Sequence, residues 1–439
     1  MKNAVLRTVA LAGAAAMTAA LAAPASGAGP HGAPWARHTI DSAISGADGV
    51  RLGDVNADGL PDIATGWEED GMIRAYVHPG LADVTSPWPV LQVGPAPSAE
   101  DAVFADLDAD GRVDVVGSTE GDERSIYAYW SEPGGGYTRE RLPAPARQWM
   151  YAVPADLDGR NGIDLVVGGK NAGAEIGVLV SPTDPRDVAA WRYVPLGPVG
   201  WTMTLALRDL DEDGDDDVLV ADRRVTQGPD RGDLRGLRWL ENPGSLAAPW
   251  ENHFLGRRHV EVMFSGAGDL DGDGDTDYVV PNIVTGEGDE RDSGELRWLE
   301  NRWNGRGAPD ERDFAEHALP WPGNVGRAKA AEPGDLDLDG RQDVALTFEE
   351  ADEGREGLVW LRQKGSPRKP QWSVRRLSGV DGIKHDDATL VDIDRDGDLD
   401  VFTTEERLPR PGLPTGLGVI WYENPVHRRA APGTLPGAP

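Results

Sequence analysis

"GDLDGDGDTDYVV", residues Gly268 to Val280, sets five aspartates within nine residues, directly ahead of an apolar run. Such crowding is costly. Two unit charges ~4 Å apart repel by about 4 kcal/mol at an effective dielectric near 20. Converging carboxylates multiply that cost, so a loop of this kind either opens or takes in a cation.

The stretch is one of seven. The others are "DVNADGLPD" from Asp54, "DLDADGRVD" from Asp106, "DLDGRNGID" from Asp156, "DLDEDGDDD" from Asp209, "DLDLDGRQD" from Asp335 and "DIDRDGDLD" from Asp392, spaced 50 to 66 residues apart. A β-rich run such as "VVG", "VLVA" or "VFTT" follows each copy. Two further signals share the period. One is an alternating strand that ends in a turn, as in "LRWLENPG" from Leu237, "LRWLENRW" from Leu296 and "GVIWYENP" from Gly418. The other is a WxxHxL strand, as in "WARHTI" from Trp35, "WENHFL" from Trp250 and "FAEHAL" from Phe314. Each unit therefore holds about four short strands, and repeats of this length predict a β-propeller. The fold expected is all-β, with seven blades of four strands across 35–425. A WxxHxL strand precedes the first acidic loop, and the last unit stops after its third strand. The N-terminal strand should then complete the last blade and cover an open edge. The tryptophans are expected to pack between blades, and His38, His253 and His317 to pack or bond on outer strands.

The loop pattern DxDxDGxxD places oxygens at positions 1, 3, 5 and 9, with a glycine at position 6 that can turn the chain back on itself. An all-oxygen set without nitrogen or sulfur suits calcium, which takes 6–8 oxygens in flexible geometry. An EF-hand needs a bidentate Glu at position 12. Here that position is Thr65, Gly117, Val220 or Val280 in four of the copies.

Together these features resemble the FG-GAP/VCBS repeat family. That resemblance implies calcium in the loops. The ligands it implies are Asp54, Asn56, Asp58 and Asp62; Asp106, Asp108, Asp110 and Asp114; Asp209, Asp211, Asp213 and Asp217; Asp269, Asp271, Asp273 and Asp277; Asp335, Asp337, Asp339 and Asp343; and Asp392, Asp394, Asp396 and Asp400. Position 7 would give its backbone carbonyl, which leaves the Asp275 side chain toward solvent. The copy at Asp156 departs most, with Arg160 and Asn161 at positions 5 and 6. Its guanidinium is expected to replace the cation by pairing with Asp156, Asp158 and Asp164. About six calcium sites are therefore expected.

The chain of 439 residues has no cysteine, which excludes disulfides and thiolate chemistry. A net charge of −32 argues against nucleic acid and against insertion into anionic membrane. Lys2 and Arg7, the apolar run from Thr8 to Ala23 and the small residues of "APASGA" read as a signal peptide over 1–28. A secreted monomer with a disordered tail over 426–439 is the expectation.

Metal loops explain stability rather than purpose. In a propeller, the segments entering the innermost strands ring one mouth of the channel. Trp149, Trp201, Arg327 and Lys329 fall there as candidate ligand-binding residues. His259, Glu261, His385 and Asp386 fall there as candidate acid–base groups. Two functions stay open. One is a binding or adhesion module for an extracellular glycan or protein. The other is a carbohydrate lyase or dehydratase, since the "WLENPG … WxxHxL" repeat is similar to the propellers of aldos-2-ulose dehydratase-type enzymes. A purely structural role is a third. No nucleophile elbow or HExxH motif is present.

Overall fold

Seven four-stranded antiparallel sheets form the blades of a β-propeller. The computed structural model describes residues 32–227, 232–283, 294–366, 369–406 and 416–427. The expected signal peptide and residues 428–439 of the expected tail lie outside them. Blades 1 to 6 span 47–95, 99–141, 148–198, 202–256, 266–319 and 327–376, each in strand order from the channel outward. Blade 7 joins three strands within 385–423 to Ala36–Asp41 from the start of the chain. That strand pairs with Gly418–Glu423, so the ring closes as the sequence predicts.

The second strand of each blade is buried on both faces. "DIATGW", "DVVGST" and "DYVVPN" have no exposed residue. Each lies inside a sheet that is itself packed between two neighbours, which is why these runs read as continuous rather than alternating. Trp67, Trp149, Trp239 and Trp421 are fully buried and fill the wedges between blades. The outer strands alternate, as the half-exposed pattern of Phe314–Leu319 illustrates.

The paired motifs meet across neighbouring strands. His38 stands opposite Trp421, His253 opposite Trp239 and His317 opposite Trp298. The rings lie 4.4, 4.7 and 4.7 Å apart. Each imidazole also bonds the glutamate of the ENP-type turn: Glu423 at 2.9 Å, Glu241 at 2.8 Å, and Glu300. The histidines are thus cross-strand packing groups, as expected from their position on outer strands.

Candidate functional site

At one end of every blade, the acidic loop joins the innermost strand to the second. Its ninth residue is an aspartate that is at most 1% exposed in all seven copies. One oxygen accepts an N–H from the third strand of the blade or the residues just after it, as with Asn242 to Asp217 and Asn301 to Asp277, both 2.8 Å. In six copies the other oxygen accepts the N–H of loop position 2, as with Leu270 to Asp277 at 2.9 Å. The position-9 aspartates therefore staple three strands together. Burial pushes the carboxyls of Asp217 and Asp343 up to about 7 and that of Asp400 to about 8, against the pull of these N–H groups.

Position 1 clasps the loop. Its carboxylate accepts the N–H groups of positions 5 and 6, as at Asp269 from Asp273 and Gly274. Two left-handed residues allow this. Gly274 at position 6 has φ of 101°, and position 4 is left-handed in every copy, including Ala57, Ala109, Glu212, Leu338 and Arg395. An L-residue held there costs about 1–2 kcal/mol. The sequence signalled position 6 but not position 4.

The loops divide into kinds. In the fourth, fifth, sixth and seventh, side-chain oxygens are buried without a hydrogen-bond partner: Asp211 and Asp215, Asp271 and Asp275, Asp337 and Asp343, Asp396 and Asp398. Such orphaned acceptors fit a hard cation. Asp275 does not face solvent as expected. Its carboxyl turns into the cluster and is pushed up to about 7, first by burial and then by Asp273 and Asp277. The second and sixth loops also take in arginines. Arg112 pairs with Asp110, Arg186 with Asp108 at 2.5 Å, Arg341 with Asp339, and Arg362 with Asp337. The third loop also differs from expectation. Arg160 is exposed and pairs with none of Asp156, Asp158 and Asp164; only its backbone N–H bonds Asp158, at 3.0 Å. Asn161 does take the left-handed turn, at φ of 61°.

The opposite end of the blades surrounds a cavity of about 260 Å³. Its wall repeats one register. The residue six places after each position-9 aspartate is Glu68, Glu120, Lys170, Arg223, Ile283, Glu349 or Glu406. All but Ile283 line the cavity. The residue six places before each position 1 is Asp48, Glu100, Met150, Met203, Met263, Lys329 or Asp386, and all but Met263 line it. The sheet geometry brings these two rings together because the innermost and second strands of each blade run antiparallel away from the loop.

The wall is electrically uneven. Blades 7, 1 and 2 supply Asp386, Glu406, Asp48, Glu68, Glu100 and Glu120. Lys170 bonds Glu100 at 2.6 Å and also Glu120. Lys329 bonds Asp386 at 2.8 Å, and Lys384 bonds Glu406. These three lysines do not neutralise the six carboxylates of the arc. Burial, then Glu100 and Glu406, push the Glu68 carboxyl up to about 9; burial, opposed by Lys170, leaves Glu100 raised to about 8. The cavity floor is closed by Arg51, which bonds Asp101 at 2.9 Å and lies over the Tyr151 ring at 5.0 Å. A second cavity of about 190 Å³ lies beyond that waist.

Of the candidates named from sequence, Trp201, Lys329 and Asp386 line the mouth. Trp149 does not. It is 0% exposed, bonds the Pro145 carbonyl at 3.2 Å and packs edge-on to Tyr193. Arg327 binds Glu349 at 2.8 Å from outside the cavity wall. His259 stands on the surface, 58% exposed, 3.3 Å from Asp233. Glu261 lies outside the wall as well, and His385 is fully buried beside Tyr422. The sequence reading missed the residues that end the second strands, although their constant spacing from the ninth loop position would have found them.

These observations can be set beside known proteins. The family described as FG-GAP-like repeat matches residues 54–117, 106–167 and 335–403. The chain carries FG-GAP-like repeats. Aldos-2-ulose dehydratase of Phanerodontia chrysosporium is 28% identical over 118 residues, which is 26% of this chain and 13% of that protein. Among solved structures, the Dos1 propeller is 10% identical with a TM-score of 0.49, over 85% of this chain and 82% of that one. BBS1N in complex with ARL6DN is 10% identical with a TM-score of 0.48, over 89% and 96%.

Proposed function

We propose that this chain is a secreted, calcium-loaded β-propeller that acts as a binding module, and that its ligand is a glycan held at the channel mouth. The carrying observation is the cavity of about 260 Å³ whose wall is built from register-equivalent charged residues at the end opposite the loops. Carboxylates and cations at such density exchange hydrogen bonds with hydroxyl groups more readily than with apolar ligands. The fold and its repeats support a binding-type module.

Calcium would be held by the acidic loops. The orphaned oxygens of Asp211, Asp215, Asp271, Asp275, Asp396 and Asp398 favour the fourth, fifth and seventh over the sixth, which also takes in arginines. The ion would screen the carboxylates there and lock the loop. The position-9 aspartates add a staple of their own, through backbone N–H groups.

The second reading is a carbohydrate-active enzyme of lyase or dehydratase type. The raised Glu68 and Glu100 favour it, because a carboxyl that keeps its proton at neutral pH can act as a general acid. The local similarity to aldos-2-ulose dehydratase points the same way. His259 and His385 have no place in that chemistry, since neither lines the cavity.

Calorimetric titration of the purified chain with oligosaccharides, in calcium, tests the reading. Binding lost in Lys329→Ala without a fall in calcium-dependent stability is the expected result. Absence of binding across neutral and charged sugars would overturn it. Product formation would move the assignment to the enzyme.

A further inference from the structure

The mouth holds five cationic side chains: Arg51, Lys170, Arg223, Lys329 and Lys384. Four are paired. Arg51 has Asp101, Lys170 has Glu100 and Glu120, Lys329 has Asp386, and Lys384 has Glu406. Arg223 is the exception. The residue is 8% exposed, and among the described residues its Nε has no hydrogen-bond partner and its guanidinium makes no ion pair. The neighbouring carboxylate, Glu349, is already held by Arg327 at 2.8 Å and faces Lys329 at 3.7 Å. A buried charge without a partner is costly, and proteins seldom keep one except where something else completes it.

The setting fixes the guanidinium in place. Its carbon lies 5.0 Å from the Trp201 ring centroid, with Arg224 at 4.3 Å and the Lys170 ammonium at 4.7 Å from the same ring. Lys170 is already paired with Glu100 and Glu120, so the two arginines leave the blade 4 side of the mouth positive. The three cations also engage the Trp201 ring, a candidate ligand-binding residue from the sequence. Across the cavity stand the acids of blades 7, 1 and 2. In two overlapping sets, Asp48, Glu68 and Glu406, then Glu68, Glu100 and Glu120, the carboxylate oxygens lie within 4.8 Å of one another. Two poles of opposite sign thus face one small space.

We propose that the mouth takes a carboxylate-bearing sugar, with Arg223 as the anchor for the ligand carboxylate. This rests on the reading of the mouth as the glycan site. A guanidinium offers a planar fork of N–H donors that matches a carboxylate in a two-bond clamp. The acidic arc accepts hydrogen bonds from hydroxyl groups on the other end of the ligand. A neutral sugar would satisfy the arc and leave Arg223 unpaired. A simple carboxylate such as acetate would do the reverse. A polyhydroxy acid satisfies both. The cavity volume of about 260 Å³ matches one sugar residue at the end of a chain: it is roughly nine times the volume share of a water molecule. Burial already holds the Arg223 guanidinium below the usual arginine range, and a bound carboxylate would reverse that shift.

The test is calorimetric titration of the full chain, in calcium, with glucuronate and galacturonate, their neutral parents glucose and galactose, oligouronates, and acetate. Uronates should bind at least tenfold more tightly than the neutral parents and than acetate. Arg223→Gln should erase that preference, while Arg223→Lys should recover part of it. Thermal melting without sugar supplies an independent arm. Arg223→Gln should melt at the same temperature or higher, because it removes an unpaired buried charge. A lower melting temperature would give Arg223 a structural role and overturn the proposal. Equal binding of acidic and neutral sugars, unaffected by Arg223→Gln, would overturn the carboxylate anchor and leave the glycan reading standing. Silence from every sugar would overturn both.

Discussion

The two ends of each blade are built from the same pair of strands, and they follow opposite rules. At the loop end, chemistry repeats. Aspartate occupies positions 1 and 9 in every copy, and each position-9 side chain accepts an N–H from the third strand or the residues just after it. At the mouth end, the register repeats and the chemistry does not. The equivalent residue is glutamate in four blades, lysine in blade 3, arginine in blade 4 and isoleucine in blade 5. A staple must do the same job seven times because each blade needs the same closure. A ligand site gains from asymmetry, since a ring of seven equal charges would have no poles.

The largest expected effect breaks the repeating end. Asp277→Ala removes a fully buried carboxylate that accepts two backbone N–H groups, from Leu270 and Asn301. With charge-assisted bonds at about 1.5–3 kcal/mol each, the loss should reach about 3–5 kcal/mol, read by urea unfolding. A loss under about 1 kcal/mol would mean that the staple is not what holds the strands.

Calcium removal, compared one site at a time, comes next and separates loops from one another. At a thousandfold excess over its dissociation constant, an ion contributes about 4 kcal/mol per site. Chelation should lower the melting temperature. Titration should resolve tighter sites for the fourth, fifth and seventh loops, and Asp275→Asn should weaken one of them. Equal occupancy of the second and sixth loops would show that Arg112, Arg186, Arg341 and Arg362 yield to the metal.

A smaller effect tests the mouth through pH. The folded-state pKa of Glu68 is raised to about 9 by burial, Glu100 and Glu406. The unfolded chain releases that proton near 4.5, the ordinary glutamate value. The stability tied to the proton is therefore complete below about 4.5 and is lost as pH rises toward about 9. Glu68→Gln should be more stable than the parent chain at pH 8 by about 1–2 kcal/mol after solvent screening, and the gain should vanish at pH 4. A gain independent of pH would remove charge crowding as its cause. Smallest of all is His259→Ala. The side chain is 58% exposed and outside the cavity, so stability should move by less than about 0.5 kcal/mol and sugar binding not at all.

The loop motif made the blade count, the strand order and the closing strand legible, because each is a local pattern repeated along the chain. The outer-strand place of His38, His253 and His317 was legible for the same reason, but their stacking on Trp421, Trp239 and Trp298 was not. Trp149 misled, since an aromatic residue at the start of an inner strand can point into the channel or into the wedge between blades. His385 misled in the same way. Asp275 and Arg160 misled because the direction of a loop side chain depends on which neighbours compete for it.

By itself the sequence determined a closed ring of seven blades, since strand period, turn residues and crowded aspartates act over short stretches of chain. Only the tertiary structure decided which charges meet. Lys170 reaches Glu100 across 70 residues, whereas Arg223 makes no ion pair among the described residues. Pairing of that kind is set by the curvature of the ring and the depth of burial, which no local pattern encodes.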